Sequence, residues 1–200
     1  MPKTNDPRLV SPQCPSLVPV KTIHENPWFS IRNRGGYYTI EFKTPQIAIL
    51  PIVEDHSIVM IRAKRPVIGD NTLELPAGDA DKGETPFIAA ARELAEETGI
   101  EIRELERFQL LPPISILPNR SPVFSYIYQI RITQQEFDMR KMHDEEILSV
   151  ESICFDDVKQ MIVDGKIYVS FPMSIISRFF LTKSCNNEQG HNNIQNHKHK

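Results

Sequence analysis

Three glutamates, Glu93, Glu96 and Glu97, fall within five consecutive residues of a segment with helical character. At about 100° per residue, with Glu93 at zero, Glu97 lies at about 40° and Glu96 at about −60°. The carboxylates therefore share one helix face in i, i+3, i+4 relation. Like charges at that spacing destabilise a helix by roughly a few tenths of a kcal/mol. A solvated face usually mixes lysine among its glutamates, but here only Arg92 is near, at the border. A divalent cation would supply the missing charge, and Mg²⁺ favours carboxylate oxygens. The alternative is an ordinary acidic surface helix. Leu94, Phe87, Ala91, Ala95 and Ile88 gather on the other side and are expected to pack on a sheet. Ala89 and Ala90 fall on the acidic face one turn earlier and are expected to leave room for a ligand.

The helix itself is predicted over 86–98. Thr85 is its expected N-cap, Pro86 suits the first helical position, and Gly99 marks its end. Further helices are predicted over 156–163 and 173–181. Segments 28–32 and 37–42 flank Gly35-Gly36, a hairpin signal because both turn positions accept positive φ. Short β-branched or alternating runs predict strands at 47–53, 58–61, 72–75, 108–111, 123–132 and 150–154. This interleaving predicts an α/β sandwich around a mixed sheet.

Composition bounds the rest. With 23 Lys and Arg against 26 Asp and Glu the net charge is −3, without the basic excess that nucleic-acid binding needs. No apolar run is long enough to span a membrane. Residues 1–20 carry five prolines, no secretory signal, and are expected to form an extended or disordered arm. Residues 184–200 are mostly Asn, Gln, His and Lys and are expected to be a disordered tail, although His191, His197 and His199 could hold a metal loosely. Cys14, Cys154 and Cys185 fit neither a disulfide framework nor a paired-cysteine metal site, which points to a reducing, cytoplasmic compartment.

Extending the helix upstream gives Gly78, five residues, Glu84, seven residues, then Arg92-Glu93-Leu94-Ala95-Glu96-Glu97-Thr98-Gly99-Ile100. This resembles the Nudix box, G-x5-E-x7-R-E-U-x-E-E-x-G-U, at all nine specified positions over 23 residues. The resemblance implies a Nudix-type α/β/α sandwich with a small N-terminal β-subdomain. It divides the chain into the arm, a subdomain at 21–46, a Nudix hydrolase domain at 47–183 and the tail. It implies Mg²⁺, with Mn²⁺ as an alternative, held by Glu84, Glu93, Glu96 and Glu97 and by a backbone carbonyl near Ala77 or Gly78. Arg92 would orient the glutamates.

Segment 73–78, Leu-Glu-Leu-Pro-Ala-Gly, resembles the entry of ADP-ribose and nucleotide-sugar pyrophosphatases. That likeness implies hydrolysis of the diphosphate in ADP-ribose or a related nucleoside diphosphate sugar, the small-molecule partner of the protein. Other nucleoside diphosphate compounds, such as GDP-mannose or dinucleoside polyphosphates, and a non-catalytic nucleotide sensor remain alternatives. Arg65 would face the phosphates. Pro118 and Arg120 lie where such enzymes carry a proline-containing substrate loop, although Asn119-Arg120 stand where the family often has glycine. Glu145 or Glu146 would serve as general base, with His143 as an alternative group. Trp28, the only tryptophan, either stacks on a nucleobase or fills a core or dimer contact. By the same resemblance the N-terminal subdomain makes a homodimer, and Arg32 and Arg34 could reach a neighbouring site.

Overall fold

The computed structural model describes residues 6–9, 14–141 and 144–196, with side chains as far as Cys185. After a 3₁₀ turn at Pro7–Leu9, three strands follow in order: β1 (Val20–Glu25), β2 (Phe29–Arg34) and β3 (Tyr37–Phe42). They form an antiparallel sheet of their own. Gly35 and Gly36 have φ of 57° and 97°, and Arg34 pairs with Tyr37, so the two glycines make the tight turn their sequence predicts.

The second sheet begins with β4 (Gln46–Val53), β5 (Ser57–Arg65), β6 (Asp70–Glu74) and β7 (Ala77–Asp79). Helix α1 (Pro86–Thr98), β8 (Gln109–Leu111), β9 (Tyr126–Ile132), the short α2 (Gln134–Asp138) and β10 (Ile147–Cys154) follow, then α3 (Phe155–Val163) and α4 (Ser170–Asn196). The strands run β10-β5-β4-β9-β8, with β6 on β5 and β7 on β4. Only the β4–β9 pairing is parallel among the described strands, so the sheet is mixed.

The apolar run of β4 explains its central place. Alternate residues point to opposite faces of a strand. Ile47, Ile49 and Val53 join the core beneath α1, whereas Ala48, Leu50 and Ile52 join the core beneath α3 and α4. A strand covered on both faces cannot alternate apolar and polar residues. The expected α/β/α sandwich is therefore present.

Three elements lacked a signal in the sequence. Every residue of β1 is exposed, so no burial pattern marks it. Strand β7 is three residues long and contains Gly78. Helix α2 is short and polar, and its capping box decides it: Thr133 Oγ1 accepts from the Glu136 N–H, and Glu136 accepts from the Thr133 N–H.

Both ends of the chain differ from expectation. Leu9 is buried, and its carbonyl accepts from the Tyr126 hydroxyl, so part of the N-terminal arm lies on the domain. At the other end the backbone continues as α4 to Asn196, past the start of the expected tail. Anchoring by Ile175, Ile176 and Phe179 supplies the nucleus, after which each added turn costs little.

Glu136 also accepts from Arg107 at 2.6 and 2.9 Å, and this pairing holds its pKa down at about 2. The folded value lies below the unfolded one, so the stabilisation is full above the ordinary carboxylate range. It is lost as pH falls from about 4.5 towards about 2. Glu136→Gln should cost about 1–2 kcal/mol at neutral pH, allowing for solvent screening, and less at pH 3. Urea unfolding at the two pH values checks this.

Candidate active site

Helix α1 forms as its caps dictate. Thr85 Oγ1 accepts from the Ile88 N–H, Pro86 opens the first turn, and Gly99 closes the helix with φ 73° and its N–H on the Ala95 carbonyl. Its orientation keeps part of the wheel and corrects part: Leu94 is buried and Phe87 and Ala91 pack against the core, as expected. The buried face comprises Ala89, Ala90, Glu93, Leu94 and Thr98, whereas Ile88 is 45% exposed. Ala89 and Ala90 do not leave room for a ligand. They are fully buried in the core and let the helix approach the sheet closely. Glu93 consequently turns inward and retains only 8% of its exposure, whereas Glu96 stays exposed.

Arg92 gathers this face. Its Nη1 donates to Glu93 and Glu96, both at 2.8 Å. Its Nη2 donates to Glu84 at 2.9 Å and to the Asp79 carbonyl at 2.8 Å, and Nε also reaches Glu84. Glu84 further accepts from the Asp81 N–H at 2.9 Å. One rigid guanidinium thus ties the loop to three carboxylates, and its bonds to Glu84 hold that pKa below the ordinary range.

Gly78 shows why the motif begins with glycine. A Cβ built there would lie 2.2 Å from the Glu93 carboxyl carbon. The Glu93 carboxylate therefore occupies the space that any side chain at 78 would take. The requirement is close approach rather than positive φ.

Glu97 points to the sheet side and accepts from the Ala77 N–H at 2.7 Å. Burial pushes its pKa up to about 8, and the nearby Glu93 charge adds to the rise. Burial raises Glu93 as well. Two carboxylates sharing a dry site leave a surplus of negative charge. Among the described residues, no three His, Cys, Asp or Glu side chains converge as a ready cation cage. Glu84, Glu93 and Glu96 are drawn to Arg92 instead. The donor chemistry nonetheless suits a hard divalent cation, which would offset the cost of holding these buried carboxylates in the charged form.

Arg65, on β5, is a second cation beside this site. Glu74 holds it bidentately, at 2.8 and 3.2 Å, and the Thr72 hydroxyl hydrogen-bonds Glu74 in turn. Glu97 and Glu146 also attract the guanidinium. Glu74 and Thr72 were not anticipated. The available signal was their i, i+2 spacing, which puts both on one face of β6. Glu145 and Glu146 form the turn before β10. That turn is docked on the end of α1: the Asp144 N–H donates to the Glu96 carbonyl and the Lys141 N–H to the Gly99 carbonyl. The Glu146 carbonyl accepts from the Lys64 N–H. Of the two, Glu146 is the one whose charge reaches Arg65. His143 lies outside the described residues, as do the side chains of His191, His197 and His199.

The remaining sequence-predicted residues lie elsewhere in the chain. Pro118 and Arg120 line a cavity of about 330 Å³ with Tyr37, Thr39 and Cys14, and none of the box residues lines it among those described. The Arg120 carbonyl accepts from the Ile40 N–H, which docks this loop on β3. Trp28 is 69% exposed on the turn between β1 and β2, where Asn26 Oδ1 accepts from its N–H. Arg34 is not free to reach a neighbour: it is buried and donates to Glu41 at 2.6 and 3.0 Å. Arg32 leans on the same carboxylate at 3.4 Å. Burial opposes ionisation of Glu41, yet Arg34 and Thr39 outweigh it and lower its pKa.

A glutamate-bearing loop and helix on one face of a mixed sheet, with a second helical layer on the other, define the class as an α/β/α sandwich of Nudix type. A model of the NUDIX domain matches residues 43–170, and the chain belongs to the NUDIX family. Among curated relatives it is 27% identical over 124 residues to a methanol dehydrogenase activator from Bacillus methanolicus, covering 62% of this chain and 65% of that protein. It is 23% identical over 122 residues to an ADP-ribose pyrophosphatase from Bacillus subtilis (strain 168), covering 61% and 64%. The match thus spans just under two thirds of these relatives. A crystal structure of an ADP compounds hydrolase superimposes with a TM-score of 0.63 at 20% identity, covering 86% of this chain and 94% of that one. That likeness is one of fold.

Gly78→Ala tests the close approach. Overpacking here should cost no more than about 2 kcal/mol, because the displaced group is a side-chain end. Misplacing Glu93 by about 1 Å should lower turnover by about 10²-fold. Thermal unfolding and kinetics on the same sample separate the two.

Proposed function

We propose that this protein hydrolyses the diphosphate bond of ADP-ribose or a related nucleoside diphosphate sugar, with Mg²⁺, giving a nucleoside monophosphate and a sugar phosphate. The observation that carries this reading is the complete glutamate set. Glu84, Glu93 and Glu96 converge on Arg92, and Glu97 is held in a dry position near Arg65. The relatives' activities, those of a bacterial ADP-ribose pyrophosphatase and a mouse ADP-sugar pyrophosphatase, support the substrate class.

Each residue then has a physical task. Glu84, Glu93, Glu96 and Glu97 hold the cation, with the backbone at Ala77 and Gly78 beside them. Mg²⁺ held there would supply neutralisation of the diphosphate charge and acidification of water. Arg65 turns its planar fork from Glu74 to the phosphate oxygens and orients them. Glu146 takes the proton of the attacking water, and its turn is positioned by its anchorage on α1. Trp28, Pro118 and Arg120 serve the nucleoside end, with the N-terminal sheet joining two copies into a homodimer. The exposed Val20, Ile23 and Tyr38 on that sheet support the dimer. No helix among the described residues is long and apolar enough to cross a membrane. The free cysteines support a reducing, cytoplasmic setting.

Incubation with Mg²⁺ and ADP-ribose, ADP-glucose, GDP-mannose or diadenosine polyphosphate, with products separated by chromatography, tests the proposal. AMP and ribose 5-phosphate should form from ADP-ribose, and EDTA should stop the reaction. Binding of one compound without cleavage would replace the enzyme by a sensor. Glu97→Gln should leave the fold intact and lower turnover by about 10²-fold or more. Glu146→Gln should lower kcat by about 10²-fold or more, with Glu145→Gln near wild type. Equal, small effects of both would place the base elsewhere.

A further inference from the structure

A cavity of about 370 Å³ lies between β8, β9 and α4. Along β9, Tyr128, Ile130 and Ile132 enter the core beneath α1. Gln129 and Arg131 alternate with them and therefore point to the opposite face, where α4 packs. This cavity is thus across the sheet from the glutamates of α1.

Its walls carry Arg131, Arg178 and Lys183, with Gln129, Thr182 and Phe179, and none of the lining residues is acidic. Arg178 Nη1 donates to the Pro112 carbonyl at 2.6 Å, which fixes the guanidinium plane. Its Nη2 is buried and has no hydrogen-bond partner among the described residues. Leaving such a donor unmatched costs roughly 1–3 kcal/mol. Arg178 makes no ion pair in the described structure, and burial together with Arg8 opposes its charge. Lys183 lies over the Phe155 and Phe179 rings at 4.5 and 5.3 Å. Asp55 is shared between two of these cations: it pairs with Arg131 and lies 3.7 Å from Lys183. With no acidic side chain in the lining and Arg178 in none of the described ion pairs, positive charge faces the pocket.

We propose that this cavity is a second ligand site, taking a small organic phosphate monoester through Arg178, Arg131 and Lys183. A guanidinium offers phosphate oxygens several donors in one plane, which an ammonium does not. The volume lies within the roughly 300–1,000 Å³ of small-molecule sites. Phe179 and Leu111 offer apolar wall to the organic part, and this distinguishes the ligand from a bare ion.

The test is amide chemical-shift mapping on the full chain, metal-free and at constant ionic strength, with AMP, ribose 5-phosphate and inorganic phosphate as probes. One organic phosphate should give saturable shifts at Gln129, Arg131 and residues 178–183. Arg178→Gln and, separately, Lys183→Gln should each weaken binding by about tenfold or more. Glu97→Gln should leave it unchanged. Shifts confined to α1 and Arg65, or affinity untouched by both cavity variants, would overturn the site. Equal affinity for inorganic phosphate would overturn the organic class. Should Arg178→Gln fail to fold, the wild-type map and Lys183→Gln still decide.

Discussion

Arg92 sits among three carboxylates and a backbone carbonyl, and the geometry of the site depends on that one guanidinium. Glu84 comes from the loop, Glu93 and Glu96 from the helix, and Asp79 from the end of β7. Without a cation between them these groups would repel. With it, four separate backbone positions are fixed relative to one another by a single side chain whose donors are rigidly spaced. The entropy of ordering one arginine is shared over several contacts, so each bond costs less than an isolated surface pair.

Steric economy completes what charge begins. Fully buried alanines bring α1 down onto the sheet, and a glycine in β7 accepts the Glu93 carboxylate where a side chain would stand. At the far end Gly99 does two things. Its φ of 73° ends the helix, and a Cβ there would meet the Lys141 carbonyl at 2.1 Å. The turn bearing Glu146 can dock on α1 only because that position has no side chain. Small or absent side chains at four positions therefore set the depth, the register and the cover of the site.

The sheet keeps two chemistries apart. One face carries α1 and its dry, negative cluster; the other carries α4 and a positive cavity. Strand β9 serves both because successive side chains point to opposite faces. Charges of opposite sign on the two faces are separated by an apolar core, so neither set is neutralised by the other.

Much of the chemistry was legible along the chain. The spacing of Gly78, Glu84, Arg92, Glu93, Glu96 and Glu97 is local, and the caps Thr85 and Gly99 act within a turn of the residues they serve, so sequence alone determined the helix and its acidic set. The β2–β3 turn was legible for the same reason. Elements without an apolar signature were not: β1 is wholly exposed and β7 is three residues long. The wheel places Leu94, Phe87 and Ala91 on the core side as found, but it ranks residues by polarity, whereas the tertiary structure also buries Glu93 because Arg92 and the cleft at Gly78 receive it. The Arg65–Glu74 clamp, the docking of Lys141 and Asp144 on the end of α1 and the cavity beside Arg178 join residues distant in sequence. Their positions follow from strand order and packing, and no local spacing encodes them.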